Sequence, residues 1–273
     1  MADTVAINYS REAGWTGGLI AELCRGGPST VIVTYNYDRK PEIGTYHSAL
    51  ADGAFMQLLD VLQQSGYQQL PQPPSIPPES KSLVVGERRE GEAMPALRVF
   101  ELHDLPAAVA TLSVEIEKVI AEIRQKRTRV IEAAVAWTKR AFGANEPLAL
   151  KVTLRNAGTS PLSLGNPVGA PKDQWSGLRL FVRDEAGTEQ CVDLQANHLR
   201  PSQDTPTEAT AILAPAGNLS FLARKKVYLA PGQYTCAFSY RNVLAEPDDP
   251  QFVEGEIAIA LDSVVVEPEE GMR

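Results

Sequence analysis

The stretch Tyr228-Leu-Ala-Pro-Gly-Gln-Tyr-Thr-Cys-Ala-Phe-Ser-Tyr240 decides how the second half of this chain is read. A Pro231-Gly232 turn feeds a run in which successive residues alternate between two faces. Tyr234, Cys236, Phe238 and Tyr240 point one way, and Gln233, Thr235, Ala237 and Ser239 point the other. A period of two marks a half-buried strand leaving a tight turn. Working outward, Leu148–Asn156 repeats the pattern. Further strands are expected at Leu162–Gly165, Leu178–Asp184, Gln190–Leu194, Asn218–Leu222, Lys225–Leu229 and Gly255–Val266. Turn signals separate them, among them Asn156-Ala-Gly158 and Asp184-Glu-Ala-Gly187. Short strands with such regular punctuation predict an immunoglobulin-like β-sandwich. His198–Ala211, polar and carrying Pro201 and Pro206, is expected to be a long exposed loop.

The first half predicts an α+β domain. Thr4–Tyr9 is a short apolar run, and Ser29–Tyr37 is rich in β-branched and aromatic residues. Ser48 or Asp52 is placed to cap a helix running to about Ser65, with Phe55, Leu58, Leu59 and Leu62 at helical spacing. Leu70–Pro78 holds five prolines and predicts extended, polyproline-like backbone. Strands are expected near Lys81–Glu87 and Ala96–Glu101. Asp104 is placed to cap a long helix with Pro106 in its first turn and Val109, Leu112, Ile116, Val119, Ile120 and Ile123 on one stripe. The periodicity fades in the basic string Arg124–Arg129, which sets domains of 1–127 and 128–273. Arg129–Phe142 is read as the first strand of the sandwich, with a helix through Ala133–Trp137 as the competing assignment.

The formal net charge of −8 is unevenly placed. Residues 1–183 hold 20 basic and 19 acidic side chains, whereas residues 184–273 hold 6 and 15. Glu246–Glu270 carries nine carboxylates and no Lys or Arg. Such a segment is either a solvated edge or a docking surface for a basic partner. It disfavours direct nucleic-acid binding, since phosphate would be repelled. No apolar run approaches the roughly 20 residues needed to cross a bilayer, so no membrane partner is expected. The N-terminal residues lack the basic and apolar regions of a secretory signal, which points to the cytoplasm. Cys24, Cys191 and Cys236 have no metal-type spacing and are expected to be reduced, with Cys236 packed as a small core residue.

The patterns that carry catalysis are missing. His47, His103 and His198 are far apart, and Asp248-Asp249 lacks the ligand ladder of a calcium loop. There is no Gly-x-Ser-x-Gly elbow, and the Trp15-Thr-Gly-Gly18 glycines come without a phosphate-binding Lys. Cys24 with His47 is the one conceivable nucleophile and base, but Cys24 follows the apolar Leu19-Ile20-Ala21 and reads as packed. No enzyme activity, metal or cofactor is expected. Recognition is better served: Trp15 lies in a Gly-rich loop, Tyr35 and Tyr37 share a strand face, and Trp175 lies in a long connection.

Leu148–Gly158, Ile212-Leu-Ala-Pro-Ala-Gly217 and Leu229-Ala-Pro-Gly-Gln-Tyr234 resemble bacterial immunoglobulin-like modules of the adhesion and intracellular proteinase-inhibitor kind. The layout as a whole is similar to the cytoplasmic immunity proteins of bacterial secreted, type VI-like toxins. That resemblance implies a non-enzymatic inhibitor of a basic toxin, such as a nuclease, whose cleft an acidic surface would fill. The expected partner-binding residues are Trp15, Tyr35 and Tyr37 as anchors, with Glu246, Asp248, Asp249, Glu254 and Glu256 as the electrostatic set. A scaffold or adaptor docking through the sandwich is the alternative from another class, and a proteinase inhibitor is a variant of the first.

Overall fold

A computed structural model describes residues 3–12, 18–35, 40–71, 80–172, 175–202, 206, 208–242 and 249–268. The chain is mostly β, with large antiparallel sheets. It divides into two compact units, Met1–Tyr37 with Gly44–Thr128, and Asp38–Ile43 with Arg129–Arg273.

The first unit is built on strands β1 (Thr4–Glu12), β2 (Gly18–Cys24), β3 (Pro28–Val33), β4 (Glu42–Ala49), β5 (Ser82–Arg89) and β6 (Ala96–Glu101), with helices α1 (Asp52–Gln64) and α2 (Ala107–Ile123). The sheet order is β4-β3-β2-β1-β5-β6, antiparallel throughout. One row across it reads Tyr46, Val31, Ala21, Tyr9, Val85, and every member is buried. Strand periodicity produces this row, since alternate residues share a face. The helices bury the stripe their spacing predicts, namely Phe55, Leu58, Leu59 and Leu62 on α1 and Val109, Leu112, Ile116, Ile120 and Ile123 on α2. Fully burying each such side chain is worth about 1.5–3 kcal/mol.

Four polar side chains fix α2 to the sheet. The Tyr9 hydroxyl donates to Glu117 Oε1 at 2.6 Å and lies 2.8 Å from Ser113 Oγ, while Arg11 donates to the same Glu117 oxygen at 2.6 Å. Burial first, and then the bond to Glu117, holds the Tyr9 phenol well above its ordinary range. Burial does the same to Tyr240 in the second unit. Both tyrosines therefore keep in the folded state a proton that the unfolded chain releases near pH 10. Their contribution to folding stability should be flat through neutral pH and should fall as pH rises above about 10, by at most about 1.4 kcal/mol per pH unit for each tyrosine. Urea melts across the alkaline range test this, and Tyr9→Phe should make the decline shallower.

Several local expectations need correction. Neither Ser48 nor Asp52 caps α1, because Ala51 occupies the cap position and Asp52 lies in the first turn, where the helix dipole favours a carboxylate. Asp104 does not cap α2. It ends a short 3-10 turn, Leu102–Asp104, and Pro106 takes the cap position itself. Strands β2 and β4 were hidden from the pattern by Gly18 and Gly44 at or inside them. Gly26 adopts φ 67° in the tight β2–β3 turn. Arg124, at the head of the basic string, is buried, and its guanidinium lies 5.4 Å from the centre of the Tyr46 ring. Most of Leu70–Pro78 lies outside the described residues.

The second unit contains β7 (Arg127–Trp137), β8 (Ala141–Gly143), β9 (Leu148–Asn156), β10 (Leu162–Gly165), β11 (Trp175–Arg183), β12 (Glu189–Gln195), β13 (Leu199–Pro201), β14 (Thr210–Leu213), β15 (Asn218–Lys225), β16 (Gly232–Asn242) and β17 (Gly255–Glu267). Within this unit one run of strands is ordered β13-β15-β9-β7 and another β12-β11-β16-β17-β8, and β10 pairs with β14. Their inward residues join one apolar cluster, in which Leu150, Val152, Leu154, Leu219 and Phe221 meet Leu178, Leu180, Val182, Phe238 and Ile257. The quoted stretch behaves as its alternation predicts, with Tyr234, Cys236, Phe238 and Tyr240 all buried.

Arg129–Phe142 is strand and not helix, but it breaks after Trp137 and resumes as β8, which pairs in parallel with β17. The segment His198–Ala211 is not a plain loop. Leu199 and Ala211 are buried and anchor β13 and β14 at its two ends. No strand forms over Lys225–Leu229, because β15 runs on to Lys225 and irregular chain follows up to the Pro231 turn. All three cysteines are free, with Cys191 exposed and Cys236 buried. Burial pushes the Cys236 thiol up to about 11.

Candidate binding surface

The carboxylates of the C-terminal strands lie on the second unit. Glu256, the second residue of β17, is in register with Arg241 of β16, and its Oε1 accepts the Ser239 hydroxyl at 2.5 Å. Ser239 is in register with Arg179, and Arg179 with Asp193, to which it donates at 2.9 Å. The Arg179 guanidinium also lies 4.6 Å from the Trp175 ring centre, and the Trp175 indole N–H donates to the Leu178 carbonyl at 3.1 Å. Asp193, Arg179, Ser239 and Glu256 thus form one polar line across β12, β11, β16 and β17. Asp262 is bridged to Arg140 at 2.6 Å.

Asp249 has a local duty. Its Oδ1 accepts the Gln251 N–H at 2.8 Å and its carbonyl accepts the Phe252 N–H at 3.0 Å. The Ser163 hydroxyl and the Gln251 amide hold its carboxyl below the ordinary carboxylate value. Of the residues expected to meet a partner, Glu254 is exposed, Glu256 and Asp249 are half-buried and bonded, and Tyr35 is half-buried just beyond β3. Trp15, Tyr37, Glu246 and Asp248 lie outside the described residues. Glu254 and Glu256 lie at the start of one strand in the second unit, whereas Tyr35 belongs to the first unit. Sequence reasoning missed the arginine that answers Asp262 of this acidic segment, because Arg140 stands far upstream of it in the chain.

Among the described residues no group of His, Cys, Asp and Glu converges in a way that could hold a metal ion. Cys24 has its thiol pushed up by burial first and by Glu22 second, the reverse of the shift that activates a nucleophile. His47 Nδ1 lies 3.1 Å from the Thr30 hydroxyl. Among the described residues no helix is long and apolar enough to cross a membrane.

No family model matches the sequence, and no curated protein matches it. Solved structures similar to half of the chain include a family 123 glycoside hydrolase from Clostridium perfringens, at 11% identity and TM-score 0.30 over 50% of this chain and 27% of that one. The Salmonella SafD adhesin is similar at 13% identity and TM-score 0.28, over 50% of this chain and 98% of that one. Self-complemented MyfA, the major subunit of Myf fimbriae from Yersinia enterocolitica, is similar at 9% identity and TM-score 0.24, over 50% of this chain and 98% of that one.

Proposed function

We propose that this chain is a non-enzymatic, cytoplasmic inhibitor that binds a basic protein, with a bacterial toxin of the nuclease kind as its target. In this reading an α+β domain, 1–127, precedes an immunoglobulin-like sandwich, 128–273. The sandwich reading draws support from a tyrosine corner: the Tyr234 hydroxyl donates to the Ala230 carbonyl at 2.8 Å, and Tyr234 stands two residues before Cys236. The observation that carries the function is the charge imbalance of residues 184–273, with 6 basic and 15 acidic side chains. Arginines answer Asp193, Glu189 and Asp262, whereas Glu185, Glu208, Glu254 and Glu267 stand exposed beyond those pairs. A surface of one sign raises the association rate of an oppositely charged partner and makes binding salt-sensitive.

The adaptor reading would use an open sheet edge, and β12 ends its sheet. That edge carries Asp193 and Glu189, each paired with an arginine of β11, and charge along an edge opposes strand addition. This favours the inhibitor.

The test is capture of the partner from the source cell on the wild-type chain and on a triple variant, Glu246→Lys, Asp248→Lys and Glu254→Lys. The expected result is a basic protein retained by the wild type, released as salt rises and lost from the variant, whose toxicity co-expression of the wild type suppresses. A partner held equally by both chains, or one without toxicity, rejects the inhibitor reading. Several partners indifferent to the substitutions would favour the adaptor.

A further inference from the structure

The first unit contains a cavity of about 360 Å³ between α1, the turn Tyr67–Gln69 and the ends of β1 and β5. At its polar side sits Glu87, a carboxylate with 5% exposure. A buried charge persists only when it is paired and hydrogen-bonded. Here Thr4 Oγ1 donates to it at 3.1 Å, Gln68 Nε2 at 2.7 Å and Arg89 at 3.0 Å. A β-bulge between Thr4 and Ala6 shifts the register just where Thr4 reaches Glu87, and bulges commonly re-aim side chains beside a site. α1 contributes the apolar Met56, Leu59 and Leu62 to the lining, beside Gln63.

Charge and donor capacity decide what fits. Glu87 already takes donors from Thr4, Gln68 and Arg89. Arg89 gives it one terminal nitrogen, and Arg25, also lining the cavity, gives one terminal nitrogen to Asp3 at a long 3.4 Å. A guanidinium has five N–H donors, so both arginines keep donors in hand. Neither is deeply buried, with side-chain exposures of 44% and 41%. Asp3 and Glu87 balance the two arginines in charge, and the same lining joins unspent guanidinium donors to apolar side chains, a combination that suits one ligand chemistry. We infer that this cavity binds a small amphipathic carboxylate, its anionic head on Arg25 and Arg89 and its apolar body against Met56, Leu59 and Leu62. The volume suits a ligand of that size, since small-molecule sites begin near about 300 Å³. This site is independent of the acidic surface on the second unit.

The experiment uses the full chain and the fluorescence of bound anilinonaphthalene sulfonate, itself an anion with an apolar body. Octanoate should displace the dye, and octanol and octylamine should do so about tenfold less well, the difference expected of a charge-assisted pair. Arg25→Gln, at an exposed turn away from Glu87, should weaken octanoate about tenfold with an unchanged melting temperature. Met56→Glu, on the half-exposed rim, should abolish displacement. Equal displacement by the three probes, no displacement at all, or an Arg25→Gln chain that binds octanoate as the wild type does would each overturn the assignment.

Discussion

Gly177→Ala is expected to destabilise the second unit by about 3 kcal/mol or more. Gly177 lies in β11 where the pairing with β12 shifts register between Trp175 and Leu178. Its φ is 82°, a left-handed conformation that costs an L-residue about 1–2 kcal/mol. A Cβ added there would also meet the Arg241 carbonyl oxygen at 2.5 Å. That neighbour is backbone of β16 and cannot swing away, so the strands must part, which adds about 1–3 kcal/mol. Gly187 is the control. It has φ 87° with nothing within 4 Å of the added atom, so Gly187→Ala should show the conformational cost alone. Paired urea melts read the difference. If Gly177→Ala costs no more than Gly187→Ala, the close approach of β16 at this bulge is wrong.

The bulge illustrates which parts of this fold were legible in the sequence. Strands β9 and β10 are read with the bounds the structure shows, because each is a short run between clear Gly or Pro signals. The apolar face of β16 is legible for the same reason. Its bulge opposite β17, between Tyr234 and Cys236, is not, since a register shift leaves the alternation of a single strand almost unchanged. β2 and β4 escape because glycine in a strand looks like a turn until a partner strand is in view. The helix caps fail differently. Asp104 and Ser48 have the right chemistry, but neighbouring geometry places Pro106 and Ala51 at the caps instead.

The candidate surface was legible in composition and illegible in arrangement. Nine carboxylates in Glu246–Glu270 are plain in the sequence. That Asp262 is answered by Arg140, and that Glu256 is satisfied by Ser239, depends on contacts between strands distant in the chain. A charge count therefore overstates how much of such a segment is available to a partner. The cavity of the first unit left no pattern either. Thr4, Arg25, Met56, Gln68 and Glu87 come from separate elements, and none stands out alone.

The last of the large effects concerns Asn242, a side chain with no exposed surface at the end of β16. Its Oδ1 accepts the Gly165 N–H at 2.8 Å and the Tyr240 hydroxyl at 2.9 Å, and its Nδ2 donates to the Val253 carbonyl at 2.6 Å. It thus ties the end of β10 and the approach to β17 onto β16. Asn242→Ala removes both sides of this clamp. Tyr240 keeps the Gly165 carbonyl at 3.1 Å, but the Gly165 N–H and the Val253 carbonyl lose Asn242 as their partner. Each buried group left unsatisfied costs about 1–3 kcal/mol, so roughly 3 kcal/mol in all is expected from chemical denaturation. Asn242→Asp gives the sharper result. It keeps the acceptor, loses the donor and buries a carboxylate, whose folded pKa must rise above the unfolded value near about 3.9. Only the protonated acid can donate to Val253. The variant should therefore approach wild-type stability below that value and lose ground as pH rises through it, while Asn242→Ala stays destabilised at every pH. Parallel pH profiles for the two variants would show that the Nδ2 bond to Val253 does not hold these strands together.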